Sequence, residues 1–427
     1  MLMKHFVEEL RWRGMLHDIM PGAEELLGRE CVSGYIGFDP TAPSLGVGNL
    51  VQMMTLLHFQ RCGHKPIIVL GGATGLVGDP SGKSQERNLL TKEQMMHNLE
   101  CQKKQMERFL DFQSGNNKAE ILNNYDWLKD FLFLDFIRDV GKHITVNYML
   151  SKDSVQNRMA TGISFTEFSY QLIQGYDFYW LNKHKGIPLQ MGGSDQWGNM
   201  VTGTELIRRI SGTEAFALTT PLIKKADGTK FGKSESGNIW LDPGLTSPYH
   251  FYQFWLNAAD ADITSFIRIF SIKDRAEIDA LEQEHQKTPH LRLLQHTLAE
   301  EITTRVHGSS ALQRAKEASE ILFGKATNES LQQLEEEQIK DVFRDVPQFT
   351  ISRSLLQSPL DAVALLAEHT AVYPSKGEAR RGLQANAVSV NKVKIQLDTL
   401  ITESQLLKQR YLIIQKGKKD YFLIDIN

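Results

Sequence analysis

Cysteine is scarce in this chain: 427 residues hold three, Cys31, Cys62 and Cys101, with no Cys-x-x-Cys pair. An odd, scattered set excludes a disulfide framework and a cysteine-built zinc site, so the three are expected to be buried thiols. Long apolar runs are missing too. No stretch approaches the roughly 18–20 residues that a membrane span requires. The first residues, "MLMKHFVEELRWRG", place Glu8 and Glu9 where a secretory leader needs an apolar core, so a helix of a cytoplasmic protein is expected there. Internal repeats and low-complexity tracts are absent as well. Net charge is small, −3, but unevenly spread. Residues 375–427 carry ten Lys/Arg against five acids, a net +5, which leaves −8 on residues 1–374. A basic module on an acidic body suits an anionic partner such as RNA; on charge alone, a solvated basic face is the plainer reading.

The length fits two or three domains. "VSGYIGF" (32–38), "KPIIVLGG" (65–72) and "IPLQM" (187–191) read as strands; helices are expected at 49–62, 91–110, 131–140, around 165–182 and from Ser194. Alternation of this kind predicts an α/β, Rossmann-like parallel sheet covered on both faces, with ligands beyond the carboxyl ends of the strands. Residues 1–245 are assigned to that domain. Residues 246–345, helical in pattern and rich in charge, are assigned to an α-helical domain. Residues 346–352, "VPQFTIS", break the periodicity and are expected to be a linker. Residues 353–427, with the helix "KGEARRGLQAN" followed by alternating "AVSVNKVKI" and "RYLIIQKGKKDYFLI", predict a small α+β domain ending in a hairpin.

Several stretches suggest chemistry. "SLGVGNL" (44–50) puts two glycines at a strand-to-helix turn, where a backbone can approach a phosphate. "GDPSGKS" (78–84) and "GTKFGKS" (228–234) resemble phosphate loops but have one residue too few between their glycines, since Val77 and Asp227 stand where the first glycine belongs. Lys230 and Lys233 can still bring two ammonium groups to a polyphosphate, against the plainer reading of a solvated loop. In "GISFTEFSYQLIQGYDFYW", Tyr170, Gln174 and Asp177 are spaced four and three apart on one helical face. Their neighbours are apolar enough to bury that face, and buried polar groups need partners, so a pocket for a small polar ligand is expected. Asp39, Asp79 and Asp195 follow the strands, and Tyr35 lies four residues before Asp39. Three carboxylates and a lysine loop suit an amine-bearing substrate beside a nucleotide.

Taken in order, "GFDPTAPSL", "GGATGLVGDPSG", "NNYDWL", "VGKHITVNYM", "GISFTEFSYQLIQGYDF", "GGSDQWGN", "KADGTKFGKSESG" and "SPYHFYQFW" resemble the bacterial tyrosyl-tRNA synthetases, a class I aminoacyl-tRNA synthetase family, over essentially the whole chain. The resemblance implies ATP-dependent activation of tyrosine followed by transfer to the 3′ end of its tRNA, with Mg2+ carried on the ATP phosphates and no protein-bound metal. It implies that Tyr35 and Asp177 hold the substrate phenol, a pairing that would leave both groups unmatched by phenylalanine; tyrosyl enzymes are themselves the standard illustration of that rejection. It places Asp79, Tyr170 and Gln174 at the substrate amine and Gln196 beside the substrate's carboxylate. The adenylate falls to Gly37, Asp39, Gly46, Gly48, Gly193 and Asp195. Thr41, Asn49, Lys83, Arg87, Lys230 and Lys233 are placed at the phosphates. "SKGEARRGLQANAVSVNKVKI" resembles a small RNA-binding domain shared with a ribosomal protein. Expected tRNA contacts are Lys152, Arg208, Arg209, Arg380, Arg381 and Lys418. A cytoplasmic homodimer is implied, with no membrane association; Phe165 is at a matching interface position, with simple core packing as the competing reading.

One position departs from the family. The first signature reads Gly46-Val47-Gly48-Asn49, with glycine where the family has histidine. Losing one hydrogen bond to a charged group predicts an activation step slower by roughly ten- to a hundredfold. Two other readings compete. A non-catalytic RNA-binding descendant would be expected to lose the amino-acid pocket or the lysine loop, and both are present. A tryptophanyl enzyme shares the fold but is disfavoured by the Tyr35/Asp177 pair and the basic C-terminal module.

Overall fold

The computed structural model describes residues 5–81, 90–159, 162–234, 237–323, 328–344, 346–417 and 420–427. Lys83, Arg87 and Lys418 lie outside the described residues. The chain divides into two compact units, one of residues 1–246 with 254–306 and one of 247–253 with 307–427.

The first unit is built on a six-stranded sheet. Its strands are β1 (Asp18–Ile19), β2 (Ser33–Phe38), β3 (Lys65–Leu70), β4 (Glu120–Asn123), β5 (Leu189–Gly193) and β6 (Phe216–Thr220), in the order β1-β6-β5-β2-β3-β4. β2 to β6 are parallel and β1 pairs antiparallel with β6. β3 is buried almost continuously, as a strand covered on both faces must be. β1, β4 and β6 were not foreseen: "EILN" and "FALTT" are too short and too mixed in polarity to carry a period-two signal.

Helices follow the strands as the spacing predicts: α1 (Leu50–Arg61), α2 (Lys92–Met106), α3 (Phe165–Lys185) and α4 (Trp197–Ser211). Ser164 caps α3, its hydroxyl accepting from Glu167 N at 3.2 Å, and Gly186 ends it in the left-handed conformation. α3 and α4 approach closely at two glycines. A Cβ on Gly203 would come within 2.8 Å of the Phe178 Cβ, and one on Gly175 within 3.1–3.3 Å of Leu206, Thr202 and Gly203. That packing fixes which face of α3 is turned to the cleft. Helices Asp260–Phe270, Arg275–Lys287 and Leu293–His307 follow in the stretch expected to be helical.

The second unit has a core of its own, drawn from residues 351–426. A five-stranded sheet runs in the order β9-β8-β10-β11-β7, with β7 at Gln348–Ile351, β8 at Val388–Val390, β9 at Val393–Lys394, β10 at Tyr411–Lys416 and β11 at Asp420–Ile426. The expected closing hairpin is β10–β11. The expected linker at 346–352 is corrected: Gln348–Ile351 is a strand parallel to Leu423–Ile426, and the non-local pairing supplies order that its local pattern does not show. A helix, α5 (Lys376–Gln384), is capped by Ser375 and presents Arg380 and Arg381 to solvent.

The cysteine expectation is also corrected. Cys62 is buried, Cys101 is half-buried and Cys31 is exposed at the start of β2's approach. No described helix is long and apolar enough to cross a membrane.

Candidate active site

A cleft of about 560 Å³ opens at the carboxyl ends of the parallel strands. Tyr35, Gly37 and Asp39 reach it from β2 and its end, Asn124 from just beyond β4, and Gly193, Asp195 and Gln196 from beyond β5. Tyr170, Gln174 and Asp177 line it from α3, as the four-and-three spacing predicts, and Thr41, Gly46, Gly48, Asn49, Asp79, Lys230 and Lys233 complete the expected set among the described residues.

At the deep end, Tyr35 is 2% exposed and its hydroxyl has no hydrogen-bond partner among the described residues. Burial and the nearby Asp177 charge hold its phenol well above the ordinary tyrosine value, so it remains a donor. Asp177, 4% exposed, accepts from Trp127 Nε1 at 2.7 Å and from Asn124 Nδ2 at 2.8 Å. Trp127 is in turn stacked on Trp180, with centroids 4.4 Å apart and planes 8° from parallel. Burial raises the Asp177 carboxyl to about 7, opposed by the two hydrogen bonds and aided by the Asp39 charge.

Asp39 is held from two sides, by Thr74 Oγ1 at 2.7 Å and Tyr170 OH at 2.8 Å. Gly71 makes this possible, since a Cβ there would come within 2.0 Å of Asp39 Oδ1. Asn124 also donates to Thr74 Oγ1 at 2.9 Å, so a continuous hydrogen-bonded chain links Asp39 to Asp177. On the other wall, Asp79 accepts from Gln196 Nε2 at 2.7 Å and from Ser81 N at 3.0 Å. Asn199 Nδ2 donates to Gln174 Oε1 at 2.9 Å and approaches Asp79 at 3.5 Å.

At the outer end the glycine signature meets the lysine loop. Val47 N donates to Ile239 O and Leu241 N to Leu45 O, while Ile239 N donates to Gly232 O. Gly232 has φ +85°, and a Cβ on it would strike Val47 at 2.9 Å and Gly48 N at 3.2 Å. Between the two lysines, Phe231 is buried against Phe266, Phe270 and Trp255. Asn49 Oδ1 accepts from Gly46 N at 3.0 Å, which leaves its NH2 for the cleft. Above Gly48 the space is open, with nothing within 4 Å of a Cβ.

The remaining expected residues are elsewhere. Lys152 lies over the Tyr148 ring at 3.6 Å; Arg208 and Arg209 pair with Glu205, and Arg209 also donates to His143 O. The sequence alone assigns no role to Asn124, Trp127, Thr74 or Asn199. Asn199 was findable, three residues beyond Gln196 on the same helical face; Asn124 and Trp127 are joined to Asp177 only by the fold. No group of three or more described His, Cys, Asp or Glu side chains is placed to hold a metal.

The family model for class I tRNA synthetases (W and Y) matches residues 29–324, and that for the tyrosine–tRNA ligase SYY-like C-terminal domain matches 338–424. A tyrosine–tRNA ligase of Bacteroides fragilis is 59% identical over 426 residues, covering 98% of this chain and 99% of that one. One of Cytophaga hutchinsonii is 57% identical over 427 residues, all of both chains. Among solved structures, a C-terminally truncated Aspergillus nidulans mitochondrial tyrosyl-tRNA synthetase is similar with a TM-score of 0.67 and 31% identity, over 75% of this chain and 94% of that one. The chain belongs to the class I tRNA synthetases, in the tyrosine–tRNA ligase family.

Proposed function

We propose that this cleft activates L-tyrosine with ATP and that the chain then transfers the tyrosyl group to the 3′ end of tRNA(Tyr). The observation that carries the reading is the buried Tyr35 hydroxyl, without a partner, beside a buried Asp177 oriented by Asn124 and Trp127. A phenol satisfies both: its oxygen accepts from Tyr35 and its proton is donated to Asp177. The ammonium group of tyrosine then falls among Asp79, Tyr170 and Gln174, with Gln196 beside the carboxylate. Adenosine lies over Gly37, Asp39, Gly46, Gly48, Gly193 and Asp195, where little side chain intervenes.

In the first step a tyrosine carboxylate oxygen attacks the α-phosphorus. A new C(=O)–O–P bond forms, the bond to the bridging oxygen breaks, and pyrophosphate leaves with the electron pair. No group on the protein needs to become covalent; alignment and charge stabilisation do the work. Lys230 and Lys233, with Asn49, Thr41, Lys83 and Arg87, serve the leaving pyrophosphate. Mg2+ enters on the phosphates of ATP. With Gly46 in the signature, one donor to those phosphates is missing, and activation is correspondingly slowed.

In the second step the tRNA 3′-terminal hydroxyl attacks the tyrosyl carbonyl and AMP departs. Lys152, Arg208 and Arg209, and Arg380, Arg381 and Lys418, are the cationic groups assigned to tRNA. Residues 1–245 are the catalytic domain, 246–345 the anticodon-side helices and 353–427 the RNA-binding module. A homodimer fits the apolar side chains left in water, Phe165 at 65% and Leu134 at 77% exposure, with Leu132 and Phe133 beside Leu134 in sequence. The cytoplasm is the compartment. Tyrosine-dependent exchange of pyrophosphate into ATP, with phenylalanine and tryptophan as controls, tests the assignment: tyrosine alone should support exchange.

A further inference from the structure

α2 turns three amide side chains toward the stretch that leads into the glycine signature. Asn98, Gln102 and Gln105 are spaced four and three apart, on one face of the helix. Asn98 Nδ2 donates to Pro40 O at 3.0 Å and Gln102 Nε2 to Ala42 O at 2.8 Å, while Gln105 Oε1 accepts from Leu45 N at 2.9 Å. The stretch they hold, "DPTAP" (39–43), has two prolines and forms neither strand nor helix. Its carbonyls therefore find partners on side chains instead of in a ladder. The same stretch carries Thr41 and runs on to Gly46-Val47-Gly48-Asn49.

Gln105 reaches further than the other two. Its Nε2 donates to Ser44 Oγ at 3.1 Å, and Ser44 Oγ also accepts from Asp242 N at 3.0 Å and donates to Leu45 O at 2.9 Å. One donor and two acceptors exhaust the capacity of a hydroxyl. Ser44 is buried, and Gln105 lies outside the cleft lining. Asp242 ends the segment that pairs with the signature turn, where Gly46 is opposite Trp240. Ile239 of that segment donates to Gly232 O, between the two lysines. One amide, remote from the substrates, thus joins the signature turn to the base of the lysine loop. Alignment of this kind matters, because a displacement of about 1 Å at reacting groups can cost roughly a hundredfold in rate. Resting on the assignment of Lys230 and Lys233 to the pyrophosphate made above, we propose that Gln105 is a positioning residue for the activation step. Through Ser44 it sets the signature turn against the lysine loop, and it touches no substrate.

The test is the rate of tyrosyl-adenylate formation per active site in the full chain, with active sites counted from the burst, beside tyrosine affinity from equilibrium titration. Gln105→Met keeps the length of the side chain and removes its hydrogen bonds. It should slow adenylate formation by about tenfold and hold tyrosine affinity within about twofold. Ser44→Ala removes the shared acceptor; it should give a loss of about the same size, and the two changes together should cost no more than about twofold beyond either alone. In a Lys233→Ala background the Gln105→Met loss should shrink to about threefold or less, because the group it positions is gone. Simple anchoring of a loop would give the same loss in both backgrounds. That outcome, a matching fall in tyrosine affinity, or an unchanged rate in Gln105→Met would overturn the proposal. An unaltered chain that forms no tyrosyl-adenylate would overturn the reading of the cleft itself, a result distinct from any of these.

Discussion

Asp177 is the residue on which the tyrosine end of the cleft turns. Its carboxyl titrates near 7 in the fold against an ordinary value of 3.8, because burial outweighs the hydrogen bonds from Asn124 and Trp127. Between those two values the folded chain keeps a proton that the unfolded chain has released. The resulting stability is fully present below 3.8 and is lost as pH rises through 7. Asp177→Asn cannot ionise, so denaturant unfolding of the two proteins should diverge in favour of the variant from about pH 4 to about pH 7, by up to about 1.4 kcal/mol per pH unit, and run parallel above that. Curves parallel throughout would contradict the raised value. Tyrosine binding runs the other way: an ionised Asp177 accepts the phenol proton, so affinity should increase as pH rises through 7. Tyr35→Phe should weaken tyrosine binding by about 0.5–1.5 kcal/mol and leave phenylalanine binding unchanged. Gly46→His has room for its Cβ, whose nearest neighbour is Ile239 O at 3.4 Å. It should raise the exchange rate roughly ten- to a hundredfold; equal rates would remove the argument for a weakened activation step.

Elements carry these residues to one place, and two contacts between elements are open to test. Gly203→Ala would drive a methyl into Phe178, one residue from Asp177 on α3. Overpacking of this kind costs about 1–3 kcal/mol, and the displaced helix should raise tyrosine KM; a stable variant with normal KM would mean the helices slide freely. The lysine loop is tied down by Phe231 in an aromatic cluster and by Gly232 against the signature turn. Phe231→Ala should lower kcat for exchange and leave tyrosine binding near normal, measured by equilibrium titration, because it loosens only the phosphate end. Much of this was legible in the sequence. The spacing of Tyr170, Gln174 and Asp177 announced a shared face, and glycine after glycine marked the strand ends. What was not legible depends on pairings distant in the chain. Strand Gln348–Ile351 is ordered by Leu423–Ile426. The Asn124–Asp177 bond spans 53 residues, and nothing local to "NNYDWL" reveals it.

At the scale of the whole molecule, the proposed activation and tRNA-binding roles fall to different parts of the chain. The C-terminal residues have a core of their own, closed by β7 to β11 and the Arg410–Asp425 pair. A chain ending at residue 344 should therefore retain tyrosine-dependent exchange within about threefold and lose most tRNA charging, with the loss in charging steeply salt-dependent in the full chain. Loss of both activities together would show that the catalytic cleft depends on the C-terminal module. The measurement that bears most directly on the central claim is tyrosine-dependent ATP–pyrophosphate exchange by the full chain, without tRNA, beside phenylalanine and tryptophan. The account predicts exchange with tyrosine alone, slow for this family and accelerated by Gly46→His. Exchange supported equally by phenylalanine, or none with tyrosine even after Gly46→His, would contradict it.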